Sequence, residues 1–308
     1  MRWYFAIDEA GAAGDAGRHA RLAVRSARLC PGLEPRLLWH GERGGFTSWM
    51  EEEGVTVIDA EPPGLAAMRA AEAAGRFRSH SIGHWLRLAI PRLDRDAVRV
   101  LYTDCDIAFL RPIDWDAIRP RLFAAGPEFA PDAWNYVNSG VMVMNLAALR
   151  PLQDEVEALL EERLAAPDAA SLDDQVLLNQ AFRGHWDRLD PGLNAKPYWR
   201  PDPRAGVLHF HGPKLGAIGA ILDGAWAWDD PVAGPIGALC DAHRAHYAGW
   251  LALLAERLQT IDPDEAASLA RLAVRLDAAR AASRMHDLGF MRFRLFPEAQ
   301  DSTATGCA

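Results

Sequence analysis

The sequence predicts an α/β protein with a doubly wound sheet and a helical C-terminal tail. Three observations carry this reading. Strand-like and helix-like stretches alternate through the first sixty residues; the unbroken apolar run Val98–Thr103 has the composition of a strand covered on both faces; and from about Pro235 alanine, leucine and arginine recur at helical spacing. At 308 residues, 50% of them hydrophobic, the chain is long enough to bury a sizeable core as one large domain or one domain with a small appendage.

Trp3–Ile7 reads as a short buried strand, followed by a loop from Asp8 to Gly17 and a helix-like stretch from about Arg18 to Leu29, which makes a βα unit. Arg36–His40 and Val55–Asp59 are the next strands, and Gly45–Glu53 between them has helical character, so the chain starts in a Rossmann-like manner. Ser81–Leu93 has helical spacing despite Gly83, with a break predicted near Pro91. The run Val98–Thr103 then delivers Asp104 to the sheet edge. Phe123–Ala125 and Val137–Asn145 are later strands, the second interrupted by a polar stretch whose residue types suit a β-bulge. Leu146–Ala165 and Leu172–Phe182 read as helices separated by a Pro-Asp loop, and Val207–Phe210 as one more short strand. The helical tail breaks near Asp262-Pro263. No internal repeat or low-complexity linker is visible, so an independent second domain is not required.

The formal charge is −9 and no dense Lys/Arg run occurs, which argues against a general nucleic-acid surface. Cys30, Cys105, Cys240 and Cys307 show neither the close pairing of a zinc site nor the density of a disulfide framework, so a reducing cytoplasm is expected. The N-terminus reaches Asp8 too soon for a signal-peptide core, and no apolar run is long enough to span a bilayer; membrane contact is expected to be at most peripheral, at the inner face. Arg271, Arg275, Arg280, Arg292 and Arg294 in the tail are interspersed with acids, as on a solvated helix face. The basic residues are nearly all arginine; the only lysines, Lys196 and Lys214, fall in one short stretch and mark Lys214 as a place where a compact ammonium is wanted.

Asp104 and Asp106 stand two residues apart at the end of an apolar strand, so extended geometry would point both carboxylates to one side. Two hard oxygens suit Mg²⁺ or Mn²⁺; the bland alternative is a strand-end turn with solvated acids. In Leu208-His209-Phe210-His211-Gly212-Pro213-Lys214 an imidazole could complete a metal site and tilt it towards Mn²⁺. Gly212 permits close approach to a phosphate, and Lys214 can neutralise a diphosphate oxygen. Either histidine could instead be a hydrogen-bonded core residue, and strand alternation allows only one of them to face a metal. Polar groups also interrupt apolar elements at Asn138-Ser139-Gly140 and at Asp173-Asp174-Gln175, with Asn179 beyond; a bulge and a helix N-cap are their structural alternatives.

Taken in order over residues 1–230, these segments resemble the retaining GT-A glycosyltransferases, the family that includes glycogenin and the bacterial lipopolysaccharide galactosyltransferases and glucosyltransferases. The resemblance is carried by Phe5-Ala6-Ile7-Asp8, Leu86-Arg87-Leu88-Ala89-Ile90-Pro91, Val100-Leu101-Tyr102-Thr103-Asp104-Cys105-Asp106, Asn138-Ser139-Gly140-Val141, Asp174-Gln175 with Asn179, and His209-Phe210-His211-Gly212. It implies a GT-A, Rossmann-like mixed sheet flanked by helices over residues 1–234, with 235–308 as a helical extension. It further implies that Asp104, Asp106 and His209 bind Mn²⁺ (or Mg²⁺), that Gly212 and Lys214 meet the diphosphate of a UDP-sugar, and that Asp8 lies near the uracil. Arg87 would support the donor site, and Asn138, Asp174 and Gln175 would surround the donor sugar, Gln175 nearest the anomeric carbon. One departure stands out. The family usually places a lysine six residues after the metal histidine, followed by Pro-Trp, whereas Lys214 is five after His209 and precedes Leu215-Gly216.

The activity so implied is transfer of a hexose from a UDP-sugar to an acceptor hydroxyl with retention. Asp174 is the nearest carboxylate for a covalent variant, and Trp199 or Trp226 could form an acceptor wall. Two rival readings place the same residues in a non-catalytic sugar-nucleotide or glycan-binding protein, or in a haloacid-dehalogenase-like phosphohydrolase with Asp104 as nucleophile.

Overall fold

The computed structural model describes residues 1–78 and 82–279. Ser81 of the predicted helix, Arg280, Arg292 and Arg294, Cys307 and the rest of the predicted tail lie outside the described residues. The chain divides into two compact units, one comprising Met1–Lys196, Asp202–His209 and Thr260–Asp262, the other Pro197–Pro201, Phe210–Gln259 and the chain from Pro263.

The first unit is built on strands β1 (Arg2–Asp8), β2 (Glu34–His40), β3 (Thr56–Asp59), β4 (Arg99–Thr103), β5 (Ile107–Phe109), β6 (Phe123–Pro127), β7 (Val137–Asn145), β8 (Asp187–Arg188) and β9 (Val207–His209). Seven of them form one sheet in the order β3-β2-β1-β4-β7-β6-β8, while β5 and β9 pair separately. β3, β2, β1 and β4 run parallel; β7 is antiparallel to both β4 and β6, which makes the sheet mixed. Helices α1 (Glu9–Ala12), α2 (Asp15–Ser26), α3 (Gly45–Glu52), α4 (Leu65–Ala73), α5 (Ile90–Leu93), α6 (Leu146–Leu149), α7 (Gln153–Ala165) and α8 (Asp174–Ala181) connect the strands.

Strand alternation explains how an almost wholly apolar sheet fills two cores. Trp3, Phe5 and Ile7 of β1 enter one cluster with Leu37, Trp39, Leu101, Val141 and Val143; Tyr4 and Ala6 enter the other with Leu38, Val100, Tyr102, Met142 and Met144. Both faces are covered, so the central strands read as continuous hydrophobic runs. Two polar side chains of β1 find partners inside: the Trp3 indole donates to Thr103 Oγ1 at 2.8 Å, and Tyr4 donates to Asp94 at 2.8 Å.

Several expected elements are reshaped. The helix expected from Arg18 begins at Asp15, and the preceding loop contains α1, whose N-cap Asp8 accepts from the Gly11 amide. The segment around Gly83 is a 3₁₀ helix, Ile82–Ala89, that passes into α5. Pro91 sits in the first turn of α5, where its missing N–H leaves no bond unmade, so the expected break takes the form of a change in helix type. Pro151 acts similarly in the 3₁₀ turn Arg150–Leu152, which separates α6 from α7 within the predicted helix. The polar residues of β7 bulge relative to β6, as expected: the register passes from Ala125 opposite Met142 to Gly126 opposite Asn138, so Ser139, Gly140 and Val141 are extra residues on β7, which keeps its strand form throughout. The short strands β5 and β8 and helix α4 had no counterpart in the sequence reading.

The second unit contains α9 (Leu215–Leu222), α10 (Ala233–Ala242), α11 (Arg244–Leu258) and α12 (Pro263–Ala278). α11 and α12 pack on one another, burying Trp250, Leu251, Leu254 and Leu258 with Ala266, Leu269, Ala273 and Leu276. No helix among the described residues is long and apolar enough to cross a membrane.

Thr103→Val keeps the shape of the β4 terminus and removes the acceptor of the buried Trp3 indole. It is expected to lower unfolding stability by about 1–3 kcal/mol, read as a lower urea midpoint at unchanged slope; an unaltered midpoint would show that the bond contributes nothing.

Candidate functional site

β4 ends at Thr103, and Asp104-Cys105-Asp106 bends into β5. The two carboxylates therefore converge through a turn and not through strand alternation, which corrects the reasoning though not the convergence. β5 pairs antiparallel with β9 so that Ile107 stands opposite His209, and this register brings the imidazole beside Asp106. His209 Nε2 lies 3.3 Å from Asp106 Oδ1 and 3.7 Å from Asp104 Oδ2. One oxygen of each carboxylate and one ring nitrogen lie within 4.8 Å of one another, two hard oxygens and an imidazole, a donor set that fits Mn²⁺ or Mg²⁺.

A glycine makes the approach possible. A Cβ on Gly140 would stand 2.2 Å from His209 Cε1 and 2.8 Å from Asp104 Oδ2. The same strand fixes Asp104 through its backbone, since the Asp104 amide donates to the Gly140 carbonyl at 2.8 Å.

Arg87, 3% exposed on the 3₁₀ segment, ties the surrounding groups together. It reaches Asp104 Oδ1 and Asp174 Oδ2 at 2.6 Å each, donates to the Ser139 carbonyl and hydroxyl at 2.7 Å, and lies 4.5 Å above the Tyr102 ring. Burial raises the Asp104 carboxyl and the guanidinium outweighs it, holding Asp104 below the usual carboxylate range. For Asp174 burial prevails over Arg87 and the carboxyl is raised.

Asn138, Asp174 and Gln175 come together beside this group. Gln175 Oε1 accepts from the Ser139 amide at 2.9 Å and from Asn138 Nδ2 at 3.0 Å; Asn179 accepts from the Val137 amide at 2.9 Å and donates to its carbonyl at 2.8 Å. Asp8 is buried at the end of β1, where it accepts from the Gly11 and Gly83 amides at 2.7 and 3.1 Å. Gly212 and Lys214 belong to the second unit. There Gly212 adopts φ 95°, and the Lys214 ammonium donates to the Phe210 carbonyl at 2.7 Å. His211 also lies there, its Nδ1 2.9 Å from the Tyr198 hydroxyl, so of the two sequence histidines it is His209 that joins the aspartates. Trp199 and Trp226 are half-buried in the same unit; the Trp199 carbonyl accepts from the Trp250 indole at 2.8 Å.

Sequence reasoning missed three residues of this neighbourhood. Glu128 is buried and accepts from Asn138 Nδ2 at 2.7 Å; Asn194 Oδ1 lies 2.9 Å from His209 Nδ1; Lys196, wholly buried, reaches Asn194 Oδ1 at 2.8 Å and lies 3.3 Å from His209 Nδ1. The scarcity of lysine pointed to the right stretch, but it is Lys196 that stands behind the imidazole. Burial, with Lys196 beside it, pushes His209 down to about 4, so the ring is neutral and suited to ligation.

No family model and no curated protein matches the chain. Solved structures do. The galactosyltransferase LgtC, in complex with donor and acceptor sugar analogues, aligns with a TM-score of 0.54 at 20% identity, over 69% of this chain and 88% of that one. The chain has the GT-A fold. An active-site glutamine-to-glutamate mutant of LgtC aligns with the same score at 18% identity, over 79% and 96% of the two chains. The glycosyltransferase GlyE of Streptococcus pneumoniae aligns at 0.50 and 18%, over 68% and 55%.

Two outcomes are expected of the Asp104–Asp106–His209 group. Gly140→Ala forces a methyl into the His209 ring and should weaken Mn²⁺ binding at least tenfold, measured by electron paramagnetic resonance titration, with the circular dichroism spectrum unchanged; undiminished affinity would refute the packing argument. The pH dependence follows from the sign of the histidine shift. An unfolded chain protonates this histidine near its ordinary value, the folded one only near 4, so the folded ring stays a neutral ligand across that interval while stability declines through it as pH falls. Mn²⁺ affinity should therefore hold from about pH 7 to about 5.5, whereas a loss centred near 6.5 would contradict a buried neutral ring.

Proposed function

We propose that the protein is a metal-dependent glycosyltransferase that moves a hexose from a UDP-sugar to an acceptor hydroxyl with retention at the anomeric carbon. The observation that carries the proposal is the convergence of Asp104, Asp106 and His209 in a GT-A fold, next to the Asn138–Gln175 pair. LgtC in complex with donor and acceptor sugar analogues supports a sugar donor and a sugar acceptor as partners here. Residues 1–234 form the catalytic domain in this reading and 235–308 its helical extension. A cytoplasmic location belongs to the same proposal, supported by four widely spaced cysteines, Cys30, Cys105, Cys240 and Cys307, that lack the density of a disulfide framework.

Asp104, Asp106 and His209 would hold the metal, which supplies Lewis-acid neutralisation of the charge that builds on the departing diphosphate. The protein's own part is electrostatic preorganisation. Arg87 keeps Asp104 ionised and fixes its direction, so the carboxylate is ready without rearrangement. In a front-face route the departing phosphate oxygen takes the acceptor's proton, and no strong base is required. Gln175, held by Ser139 and Asn138, would stand beside the sugar, and an active-site glutamine in LgtC supports that assignment. The covalent route is less well served, because the nucleophile it needs, Asp174, is engaged in an ion pair with Arg87. The same guanidinium on Asp104 speaks against Asp104 as a phosphorylated nucleophile.

Incubation with UDP-glucose, UDP-galactose and their N-acetylated counterparts, with Mn²⁺ or with chelator, tests the proposal without knowledge of the acceptor. Metal-dependent release of UDP from at least one donor is expected, and Asp106→Ala should abolish it while the fold is kept. Binding of UDP and Mn²⁺ with no turnover of any donor would favour the non-catalytic reading, and hydrolysis of a generic aryl phosphate in its place would favour the phosphohydrolase.

A further inference from the structure

A chain of buried side chains leads away from the metal group on the side opposite the carboxylates. His209 Nδ1 lies 2.9 Å from Asn194 Oδ1, and Lys196 Nζ lies 2.8 Å from the same oxygen. Asn194 Nδ2 donates to Asn138 Oδ1 at 2.9 Å, and Asn138 Nδ2 donates in turn to Glu128 Oε2 at 2.7 Å and Gln175 Oε1 at 3.0 Å. Asn194, Lys196, Asn138 and Glu128 are all buried. The backbone holds this arrangement, because the Ala195 amide donates to the Val207 carbonyl at 3.0 Å and the His209 amide to the Ala195 carbonyl at 2.8 Å, strapping Asn194 and Lys196 along β9.

Each amide in this chain could in principle face either way, because its oxygen and nitrogen are nearly equal in size. An ammonium removes the choice. Lys196 has only donors, so the Asn194 atom facing it must be oxygen. That oxygen, 2.9 Å from His209 Nδ1, would repel an unprotonated nitrogen and selects the tautomer with hydrogen on Nδ1; the two contacts that oppose it, the Lys196 ammonium at 3.3 Å from Nδ1 and Asp106 Oδ1 at 3.3 Å from Nε2, are both longer. Nε2 is left with its lone pair directed at the space between Asp104 and Asp106. In the other direction Asn194 must present its NH₂ to Asn138, which turns the Asn138 NH₂ towards Glu128 and Gln175. The Ser139 amide, a donor fixed by β7, agrees with that sense by meeting Gln175 Oε1 at 2.9 Å.

We propose that Lys196 is a positioning residue that sets the direction of this hydrogen-bond chain, holding His209 in its metal-ligating tautomer before any metal arrives and orienting the Gln175 amide from the same fixed point. The proposal rests on the reading of Asp104, Asp106 and His209 as a metal group, and not on which sugar is transferred. A ligating imidazole generally directs its second nitrogen to an acceptor, here an amide oxygen that a buried cation keeps in place.

The test uses the full-length, metal-free, ¹⁵N-labelled protein and long-range ¹H–¹⁵N correlation spectra of the imidazoles, with His209 assigned by its absence in His209→Gln. The wild-type ring is expected to carry its hydrogen on Nδ1; an Nε2-protonated ring would overturn the proposal without recourse to any variant. In Lys196→Met the Nδ1 preference should be lost and Mn²⁺ binding, followed by electron paramagnetic resonance, should weaken by about 10- to 100-fold. Retention of both would overturn the proposal. Should Lys196→Met fail to fold, Asn194→Asp supplies the second arm. It keeps an oxygen facing both Lys196 and His209 but removes the donor to Asn138, so the Nδ1 hydrogen should persist, and its loss would count against the inference. The wild-type spectrum and Mn²⁺ titration also separate the two levels of argument, because absence of Mn²⁺ binding alongside an Nδ1-protonated ring would remove the metal reading and leave the hydrogen-bond chain standing.

Discussion

A guanidinium buried between two carboxylates is the interaction around which the rest of the site is arranged. Arg87 bridges Asp104 and Asp174, residues seventy apart in sequence and on different elements, and satisfies its remaining donors on Ser139 and the His84 carbonyl. Charges taken out of water are costly unless paired and hydrogen-bonded, and loss of one partner leaves the others uncompensated. The 3₁₀ segment that carries Arg87, the end of β4, the start of β7 and the first turn of α8 are therefore bound to one position by electrostatics, where apolar packing alone would permit small slips.

Backbone topology does complementary work. Because β7 runs antiparallel to β4, Thr103 at the end of one strand stands opposite Val141 in the middle of the other, and Asp104 just beyond it meets Gly140 of the polar stretch Asn138-Ser139-Gly140. The separate β5–β9 ladder then adds His209 from a distant part of the chain. Asp104, Asp106, Glu128 and His209 thus assemble at or beside strand ends, Lys196 from a segment strapped to β9, and Arg87 and Asp174 from the 3₁₀ segment and the first turn of α8. Rigid elements hold such groups more closely than free loops can, as polar preorganisation requires.

Much of this was legible from residue order. Apolar runs with period two or with continuous hydrophobicity marked β1, β2, β4 and β7, since these strands are covered on both sides, and the Asp-x-Asp at the end of β4 stood out against that run. Less legible were elements whose form depends on neighbours. β5 and β8 are two or three residues long and exist because partners are available, and the 3₁₀ form of Ile82–Ala89 accompanies a contact in which a Cβ on Gly83 would approach the Asp8 nitrogen to 2.8 Å. The supporting residues were hidden for a related reason. Glu128 and Asn194 carry no spacing signal, because Asn138 and His209, the site residues they hold, lie ten and fifteen residues away and only the fold brings them together. Lysine scarcity was a real clue, but composition could not say which of the two ammonium groups lies behind the imidazole. Apolar periodicity overstated continuity in Leu146–Ala165, where Pro151 divides the helix.

The scarcity of lysine has a practical side. With only two lysines in the sequence and one of them wholly enclosed, the lysine amine that an acylating reagent can meet on the folded protein is that of Lys214. Modification of Lys196 requires its surroundings to open first, so the rate at which that single amine is acylated becomes a clock for local unfolding of the segment behind His209. A chain so poor in amines carries its own footprinting probe at the one buried position where opening matters most.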